Sequence, residues 1–313
     1  MEQFGNKASI EKGSFTGHET FPLRQGWPWK AYAAVRDTRG ANADLFSDAS
    51  AIARFGVGKN MVSAIRHWAI SCGVIEESDG NYLTSRLGDF LMGPDGLDPY
   101  LENQASIWLF QWLVAGRSDR CTTWYWAFNH YPNHSFDRES LIQSLARLCR
   151  SKGWTRVSEA TLKRDVDCFI RSYSTRLAHD ASPNEEAVEP VLAELGLLRP
   201  LAGRSAFAFR QGSRPTLPDE IFNFALHEFW ARRTDVDTLS LDTIAYEPGS
   251  PGRVFKLDVD SIADRLSRIE DSSRGIFGWT DTAGIRHVIR RKRHKEPLDL
   301  LISAYGKSAK RAA

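Results

Sequence analysis

The sequence predicts a mainly helical α+β protein with short β-hairpins, built from several winged-helix or helix-turn-helix modules. Three observations predict this class: amphipathic helical stripes recur, tight glycine turns separate them, and short apolar runs flank turn signals. Residues 49–84 are the clearest case. A helix stops at Gly56, a second starts near Lys59, and a Ser-Asp-Gly-Asn turn opens a hairpin. Helix, turn, helix and hairpin is the order of a winged helix.

The helix that starts near Lys59 carries one apolar stripe, which favours burial of that side. If the module binds DNA, the opposite side faces the duplex, and we expect contacts from Lys59, Asn60, Arg66 and His67. Two alternatives remain open, an αα-hairpin that only packs and a winged helix that serves protein contacts. The stripe consists of Met61, Ala64, Ile65, Trp68, Ala69 and Cys72.

The chain divides into four predicted regions. The stretch Ile107–Gly116 is apolar for about half a membrane span, which favours a buried helix. An aromatic, turn-rich tract at 124–137 is interpreted as a boundary. The regions are an N-terminal strap (1–40), a winged-helix-like domain (41–123), a second helical, winged-helix-like region (124–247) and a C-terminal helical region with a basic end (248–313).

The second region repeats the pattern of two helices and a hairpin. One helix ends at Gly153, the next has Ser158 as its predicted N-cap, and a helix leading into a hairpin follows at 188–212. On the second helix, Lys163, Asp167 and Arg171 recur every four residues, which is typical of a solvated charge ladder.

The C-terminal region is predicted to contain a turn, an extended run, an amphipathic helix and a last helix with a basic end. A dense cationic run suits contact with phosphates, because binding releases counterions. The alternative is a helix end that complements its own dipole. The run comprises Arg286, Arg290, Arg291, Lys292, Arg293 and Lys295, with no acidic residue until Glu296.

Composition limits the function classes. The net charge is only +2, so a nucleic-acid argument depends on local clusters. Four separated cysteines without a CxxC pair argue against structural zinc and against a disulfide framework. No signal-peptide pattern occurs, and we expect a cytoplasmic protein. P-loop, GxGxxG, HExxH and GxSxG motifs are absent, and Pro132 between His130 and His134 disfavours a helical metal pair.

The opening stretch FTGHETFPLRQGWPWK, residues 15–30, allows two interpretations. In the first, His18 acts as a base, Glu19 binds a metal, and Arg24 and Lys30 neutralise a phosphate, as phosphodiester hydrolysis requires. In the second, the stretch is a structural strap whose aromatic residues are buried while Glu19 and Arg24 form a salt bridge. The residues alone favour the strap, because neighbouring side chains on an extended chain point to opposite sides.

Four motifs carry a resemblance to a known family. They are FTGHETFPLRQGW, FGVGKNMVSAIRHWAISCGVI, TLKRDVDCFIRSYS and SPGRVFKLDVDSI, spread in order over residues 13–305. The chain resembles a bacterial domain-of-unknown-function family found in DNA phosphorothioation gene clusters, which contains SspB, the nicking subunit of the Ssp defence system. The resemblance implies an endonuclease that opens one strand for sulfur incorporation and takes part in phage defence.

The resemblance also implies partners: double-stranded DNA, a cysteine desulfurase, an ATPase and an ATP-pyrophosphatase-like sulfur-transfer protein. We further expect no membrane association and a possible homodimer. A non-catalytic DNA-binding adaptor is the alternative, and a structural scaffold is a third. The expected residues are His18, Glu19 and Arg24 for catalysis, and Glu19 and Asp165 for Mg²⁺ or Mn²⁺. For DNA they are Lys59, Asn60, Arg66, His67, Lys163 and Arg164 within the motifs, and Arg286, Arg290 and Arg291 in the basic run outside them.

Overall fold

The computed structural model describes residues 12–38, 42–174, 190–201, 205–233, 236–282, 284–291 and 296–306. Within these ranges the chain is α+β, with helices and three small antiparallel sheets, which confirms the predicted class. None of the described helices combines the length and the apolar character that crossing a membrane requires.

The first unit has the predicted order of helix, turn, helix and hairpin. Its wing turns through Asp79 and Gly80, both at positive φ (+50° and +76°), the backbone that a tight Asp-Gly hairpin turn needs. Gly56, at φ +65°, ends the short helix that precedes the turn, as predicted. The elements are α1 (Trp27–Asp37), α2 (Ala51–Phe55), α3 (Lys59–Ser71), β1 (Ile75–Ser78) and β2 (Asn81–Thr84).

Two helices connect the first unit to the second. The short helix α4 (Arg86–Met92) is capped by the hydroxyl of Ser85. The next helix, α5 (Gln104–Ala115), is buried on all sides from Ala105 to Ala115, which confirms the predicted buried helix. A helix that is apolar on every side belongs at the centre of a core.

The second unit contains a strand, two long helices and a hairpin. The predicted boundary tract is helical as far as Asn129 and irregular from His130 to His134. Trp124, Tyr125 and Phe128 are buried, and burial stabilises the helical part. Ser158 caps its helix as predicted. The elements are α6 (Thr122–Asn129), β3 (Ser135–Asp137), α7 (Arg138–Ser151), α8 (Glu159–Tyr173), a 3₁₀ helix (Val191–Leu195), β4 (Leu198–Pro200) and β5 (Ala206–Phe209).

The third unit differs from the prediction in two places. The expected last helix is a β-hairpin, because Phe277 and Val288 point into the core and Gly284 turns the chain at φ +79°. The expected extended run is a short helix at Pro251–Phe255. The elements are α9 (Asp219–Ala231), β6 (Thr238–Ser240), α10 (Leu241–Tyr246), α11 (Pro251–Phe255), α12 (Val259–Ser267), α13 (Ile269–Ser272), β7 (Phe277–Thr282), β8 (Ile285–Arg290) and a 3₁₀ helix (Pro297–Tyr305).

The second and third units share one topology. In each, a strand precedes the helices, a hairpin follows them, and the last strand lies in the middle of the sheet, in the orders β3-β5-β4 and β6-β8-β7. This is the winged-helix arrangement of a strand, a helix-turn-helix and a wing. One hydrophobic cluster runs through all three units, so the predicted domain boundaries stay predictions.

Candidate functional site

Within the predicted N-terminal strap, residues 13–26 run between the first and second units, and the name strap refers to these residues from here on. At the start of the strap, the backbone N–H of Ser14 donates to Oγ1 of Thr122 at 2.7 Å, and the N–H of Thr122 donates back to the carbonyl of Ser14 at 3.1 Å. The ring of Phe15 packs edge-on against Trp154, with 6.0 Å between centroids. These contacts attach the strap to α6 and to the turn between α7 and α8.

The middle and end of the strap bind three further elements through its carbonyl groups. Nε1 of Trp68 on α3 donates to the carbonyl of Phe21 at 2.8 Å. The guanidinium of Arg171 on α8 donates to the carbonyl of Thr20 at 2.5 Å. The N–H of Val191 donates to the carbonyl of Leu23 at 3.2 Å. The strap therefore joins helices of two different units.

A tight turn at His18–Phe21 lies at the centre of the strap. The N–H of Phe21 donates to the carbonyl of His18 at 2.7 Å, and the two residues between them, Glu19 and Thr20, have φ of +46° and +67°. Two successive positive φ values define a type I′ turn, which Gly and Asn normally occupy. Left-handed backbone costs a non-glycine residue about 1–2 kcal/mol. The turn is strained, and its partners must hold it in place.

The imidazole of His18 holds the turn in place. The side chain is 3% exposed, and Nε2 lies 2.5 Å from Oδ1 of Asp165 on α8, which is 1% exposed. Nδ1 accepts the backbone N–H of Thr20 at 3.0 Å. The ring also packs against Trp68 and Trp124. Both ring nitrogens are thus engaged inside the protein.

The pKa of His18 reflects opposing effects. Burial lowers it, but hydrogen bonds to Asp165 and Cys168 outweigh burial and raise the pKa to about 10. The N–H of Thr20 opposes protonation, because it needs the lone pair of Nδ1. The carboxylate partner dominates, since a charged hydrogen bond is stronger than one to a neutral group. The hydrogen bond to Asp165 therefore raises the pKa of His18 in spite of its burial.

His67 on α3 lies under the strap. Its ring packs edge-on against His18, with 5.6 Å between centroids. Burial, together with the positive charges of His18, Arg66 and Arg120, lowers its pKa to about 3. Gly17 lies against it at φ +105°, and a Cβ built there would approach Nδ1 of His67 to 2.6 Å. His67 is a neutral packing partner of the strap.

The two residues predicted to bind metal lie in different environments. Glu19 is exposed at the tip of the turn. Asp165 binds His18 through Oδ1, and its Oδ2 is buried with no hydrogen-bond partner in the described part of the chain. Mg²⁺ keeps several of its waters, so a fully buried Asp165 does not fit a hydrated ion. Among the described residues, no three His, Cys, Asp or Glu side chains converge as a metal site.

The two cationic residues singled out within 15–30 take part in structural contacts. The guanidinium of Arg24 lies over the rings of Phe21 and Trp27, at 5.8 and 5.2 Å from their centroids. Nζ of Lys30 donates to the carbonyl of Phe55 at 2.9 Å, at the end of α2. Arg24 is half-buried and Lys30 is exposed.

The predicted DNA-binding residues of α3 divide into two pairs. Lys59 and Asn60 are exposed on the first turn of the helix. Arg66 instead donates to the hydroxyl of Tyr82 at 3.1 Å and thereby ties α3 to the wing. His67 is covered by the strap. Of the four predicted residues, Lys59 and Asn60 are exposed, and Arg66 and His67 are half-buried.

The predicted cationic residues of the other units are mostly paired. On α8, Lys163 binds Glu159 at 2.9 Å, whereas Arg164 is exposed. On β8, Arg286 binds Asp281 at 3.2 Å, and Arg290 lies over the ring of Trp230 at 4.6 Å. Arg291 binds Glu270. Lys292, Arg293 and Lys295 lie outside the described residues.

Four exposed cationic residues escaped the sequence interpretation. They belong to a stretch, 140–158, that contains neither Asp nor Glu. That absence was readable in the sequence, but the stretch was interpreted only as a helix end. The four residues are Arg147, Arg150, Lys152 and Arg156.

Comparison with family models decides the relationship of this chain to known proteins. The model described as "Protein of unknown function (DUF4007)" matches residues 15–305. The chain belongs to this family. The matched range of the DUF4007 model begins within the strap and extends to the last 3₁₀ helix, so it covers all three units.

Two solved structures are similar to this DUF4007 chain. The first, entitled "SspB crystal structure", has a TM-score of 0.81 and 31% identity, and the match covers 95% of this chain and 90% of that one. The second, "Magnesium ion-bound SspB crystal structure", has a TM-score of 0.80 and 30% identity, with 94% and 88% covered. Comparison with curated proteins found no match.

Proposed function

We propose that this protein is a DNA-binding, DNA-nicking endonuclease of a phosphorothioate-modification and phage-defence system. The observation that supports it is the likeness to the SspB crystal structures, at 31% identity and TM-score 0.81 over 95% of the chain. Because the likeness covers three winged-helix units and the strap, it concerns the whole architecture. In this proposal the protein opens one strand so that sulfur can be incorporated.

The proposed catalytic element is the strained turn of the strap. Hydrolysis forms a bond from a water oxygen to phosphorus and breaks the bond from phosphorus to a sugar oxygen. Glu19, exposed at the tip of the turn, accepts the proton of the water, and Arg24 neutralises charge at the phosphate. His18 acts as a positioning residue, since its two nitrogens bind Asp165 and Thr20. Lys59, Asn60 and Arg164 contact the DNA backbone.

A plasmid assay tests the nicking activity. Supercoiled plasmid is incubated with the protein and Mg²⁺ or Mn²⁺, with EDTA as the parallel sample, and open circles are the expected product. Glu19→Gln removes the proposed base from an exposed position, so nicking should fall at least a hundredfold with an unchanged melting temperature. Full activity of Glu19→Gln would exclude the turn as the catalytic element. Equal activity with EDTA would exclude a required metal.

A non-catalytic adaptor is the second candidate, and one observation favours it. His18 and Asp165, two of the predicted site residues, are 3% and 1% exposed and bind each other, so neither can contact a phosphate without local opening. The adaptor predicts that DNA is retained in a gel without strand breaks. Purified protein that shifts a duplex but leaves supercoiled plasmid intact would establish it.

The proposed partners are a cysteine desulfurase, an ATPase and an ATP-pyrophosphatase-like sulfur-transfer protein. Co-expression with each of them, followed by size-exclusion chromatography, tests assembly. The same column with the protein alone distinguishes a monomer from the possible homodimer. Co-elution of none of the three would separate this chain from such a system.

A further inference from the structure

The turn between α7 and α8 carries a concentrated positive charge. Arg147 and Arg150 lie three residues apart near the end of α7, so they share one exposed side of the helix at about 4.5 Å of rise. Lys152 and Arg156 follow in the turn, and Arg164 is exposed on the second turn of α8. We call these five residues the basic turn. From 140 to 164 the only acidic residue is Glu159.

The side chains of the basic turn have no polar partner among the described residues. In the described part of the chain, none of the five forms a side-chain hydrogen bond or an ion pair. Glu159, the acid nearest in sequence to Arg156, binds Lys163 at 2.9 Å. Arg138, at the start of α7, binds Asp167 at 3.0 Å. The charges that the fold needs are thus paired, and those of the basic turn are left for a ligand.

Helix-dipole compensation explains only part of the pattern. Cations in the last turn of a helix stabilise it by about 0.3–1 kcal/mol, which accounts for Arg150 on α7. Lys152 and Arg156 lie beyond the helix, and Arg164 lies towards the N-terminal end of α8, where the dipole disfavours a cation. A phosphate surface accounts for all five.

The helices of the third unit and the wing of the first unit have the opposite charge, whereas the helix-turn-helix of the first unit carries Arg54 and Lys59 with no acid between residues 49 and 75. The helices of the third unit, residues 241–272, carry seven acidic and four cationic side chains. Two of those cations, Arg265 and Arg268, bind Asp219. The wing of the first unit exposes Glu76, Glu77 and Asp79.

The geometry points to the basic turn as the surface that docks on the phosphate backbone of double-stranded DNA. This inference rests on the proposed DNA-binding function and deepens it, since it assigns the main phosphate contacts to the second winged-helix unit. In helix-turn-helix proteins the second helix enters the major groove while neighbouring parts contact the backbone. Each neutralised phosphate releases counterions and gives the binding constant its salt dependence.

The strap holds the basic turn in position. Trp154, which lies between Lys152 and Arg156, packs against Phe15 of the strap. Asp165, next to Arg164, binds His18. Cationic residues therefore alternate with anchoring residues on both sides of the turn. Such preorganisation reduces the entropy lost when DNA binds.

Matched double variants test the assignment. Arg150→Gln/Arg156→Gln removes two charges from the basic turn, and Arg286→Gln/Arg291→Gln removes two charges from the wing of the third unit. Affinity for a fluorescent 30-base-pair duplex is measured by anisotropy at several salt concentrations. The slope of log K against log salt is negative, and it should become less steep by about 1.8 in the basic-turn variant. In the wing variant it should stay at the wild-type value. Affinity near 0.1 M salt should fall by about one to two orders of magnitude in the first variant only.

The outcomes separate this inference from the function on which it rests. A wild-type protein that binds no duplex overturns both. A wild-type protein that binds, with a basic-turn variant that binds equally well, overturns the assignment and leaves the function intact. Tighter binding of a 30-nucleotide single strand than of the duplex also overturns the choice of ligand. Since the substituted side chains are exposed, both variants should melt like the wild type; loss of folding in Arg150→Gln/Arg156→Gln would instead give them a structural role.

Discussion

Nε2 of His18 lies 2.5 Å from Oδ1 of Asp165, although 147 residues separate them in sequence. The two side chains are buried, and together they fix the strap to α8. Breaking a buried ion pair by removing one partner is costly, because it leaves an uncompensated charge. The pair is therefore a structural anchor, and several measurable effects depend on it.

Substitution of His18 should lower the free energy of unfolding. His18→Ala leaves the Asp165 carboxylate buried without its partner, so the free energy of unfolding should fall by about 3–5 kcal/mol. Asp165→Asn keeps a hydrogen-bond acceptor and should cost less. Urea unfolding followed by fluorescence of the tryptophans measures both. A His18→Ala protein with wild-type stability and no nicking would show a catalytic role instead.

His18 and His67 should contribute to the pH dependence of stability in opposite directions. A histidine in the unfolded chain titrates at about 6.5, and folded His18 has a pKa of about 10. The folded state binds more protons between these values, so the free energy of unfolding falls as pH rises through that range. Folded His67 has a pKa of about 3. The unfolded state binds more protons between 3 and 6.5, so stability falls as pH decreases there.

Asp165→Asn is the matched control for this pH profile. It removes the charge that raises the pKa of His18, so the stability lost by the wild type through His18 above pH 6.5 should no longer be lost in the variant, while the acidic decline remains. Thermal melts between pH 4 and 10 give the comparison. An alkaline decline that is unchanged in Asp165→Asn would contradict the assignment to His18.

Two glycines of the strap should respond in opposite directions to alanine. Gly17 has φ +105° and a Cβ there would meet His67 at 2.6 Å, so Gly17→Ala should destabilise by about 1–3 kcal/mol. Gly26 has φ −78° and open space around it, so Gly26→Ala should be neutral or stabilise by up to about 1 kcal/mol. Equal melting temperatures for the two variants would mean that the strap does not press on His67.

Relaxing the strained turn should separate stability from activity. Thr20 has φ +67°, and Asn tolerates that backbone better than a β-branched residue. Thr20→Asn should therefore raise stability by about 0.5–1 kcal/mol. Glu19→Gln keeps the backbone strain and removes the carboxylate. Under the nickase proposal, Thr20→Asn should retain nicking and Glu19→Gln should lose it, as scored on supercoiled plasmid beside differential scanning calorimetry.

The local parts of the fold could be predicted from sequence. Helix α3 begins at Lys59 as expected, because a glycine turn precedes it and its apolar residues have helical spacing. The Asp79–Gly80 turn follows from its residue types. The prediction of a last helix was wrong at β8. Val288 and Ile289 have strand propensity, but the prediction was based on the basic side chains of this segment. Burial of Trp124 stabilises α6 within a tract rich in turn-forming residues.

The contacts of the candidate site could not be predicted. His18 and Glu19 were recognised as an unusual pair, but nothing local indicates that Asp165 is the partner of His18. Such a contact depends on how α8 packs, and therefore on the whole core. The basic turn was predictable in principle, since its charge is a property of the sequence, and only its lack of acidic partners required the structure.

The anchoring of the strap also constrains the order of events during synthesis. The ribosome makes His18 147 residues before Asp165, and folded regions generally form in the order in which they emerge. The first winged helix can therefore form while the strap still lacks its partner. The strap closes only after α8 has emerged, so its docking is a late step that reports completion of the second unit.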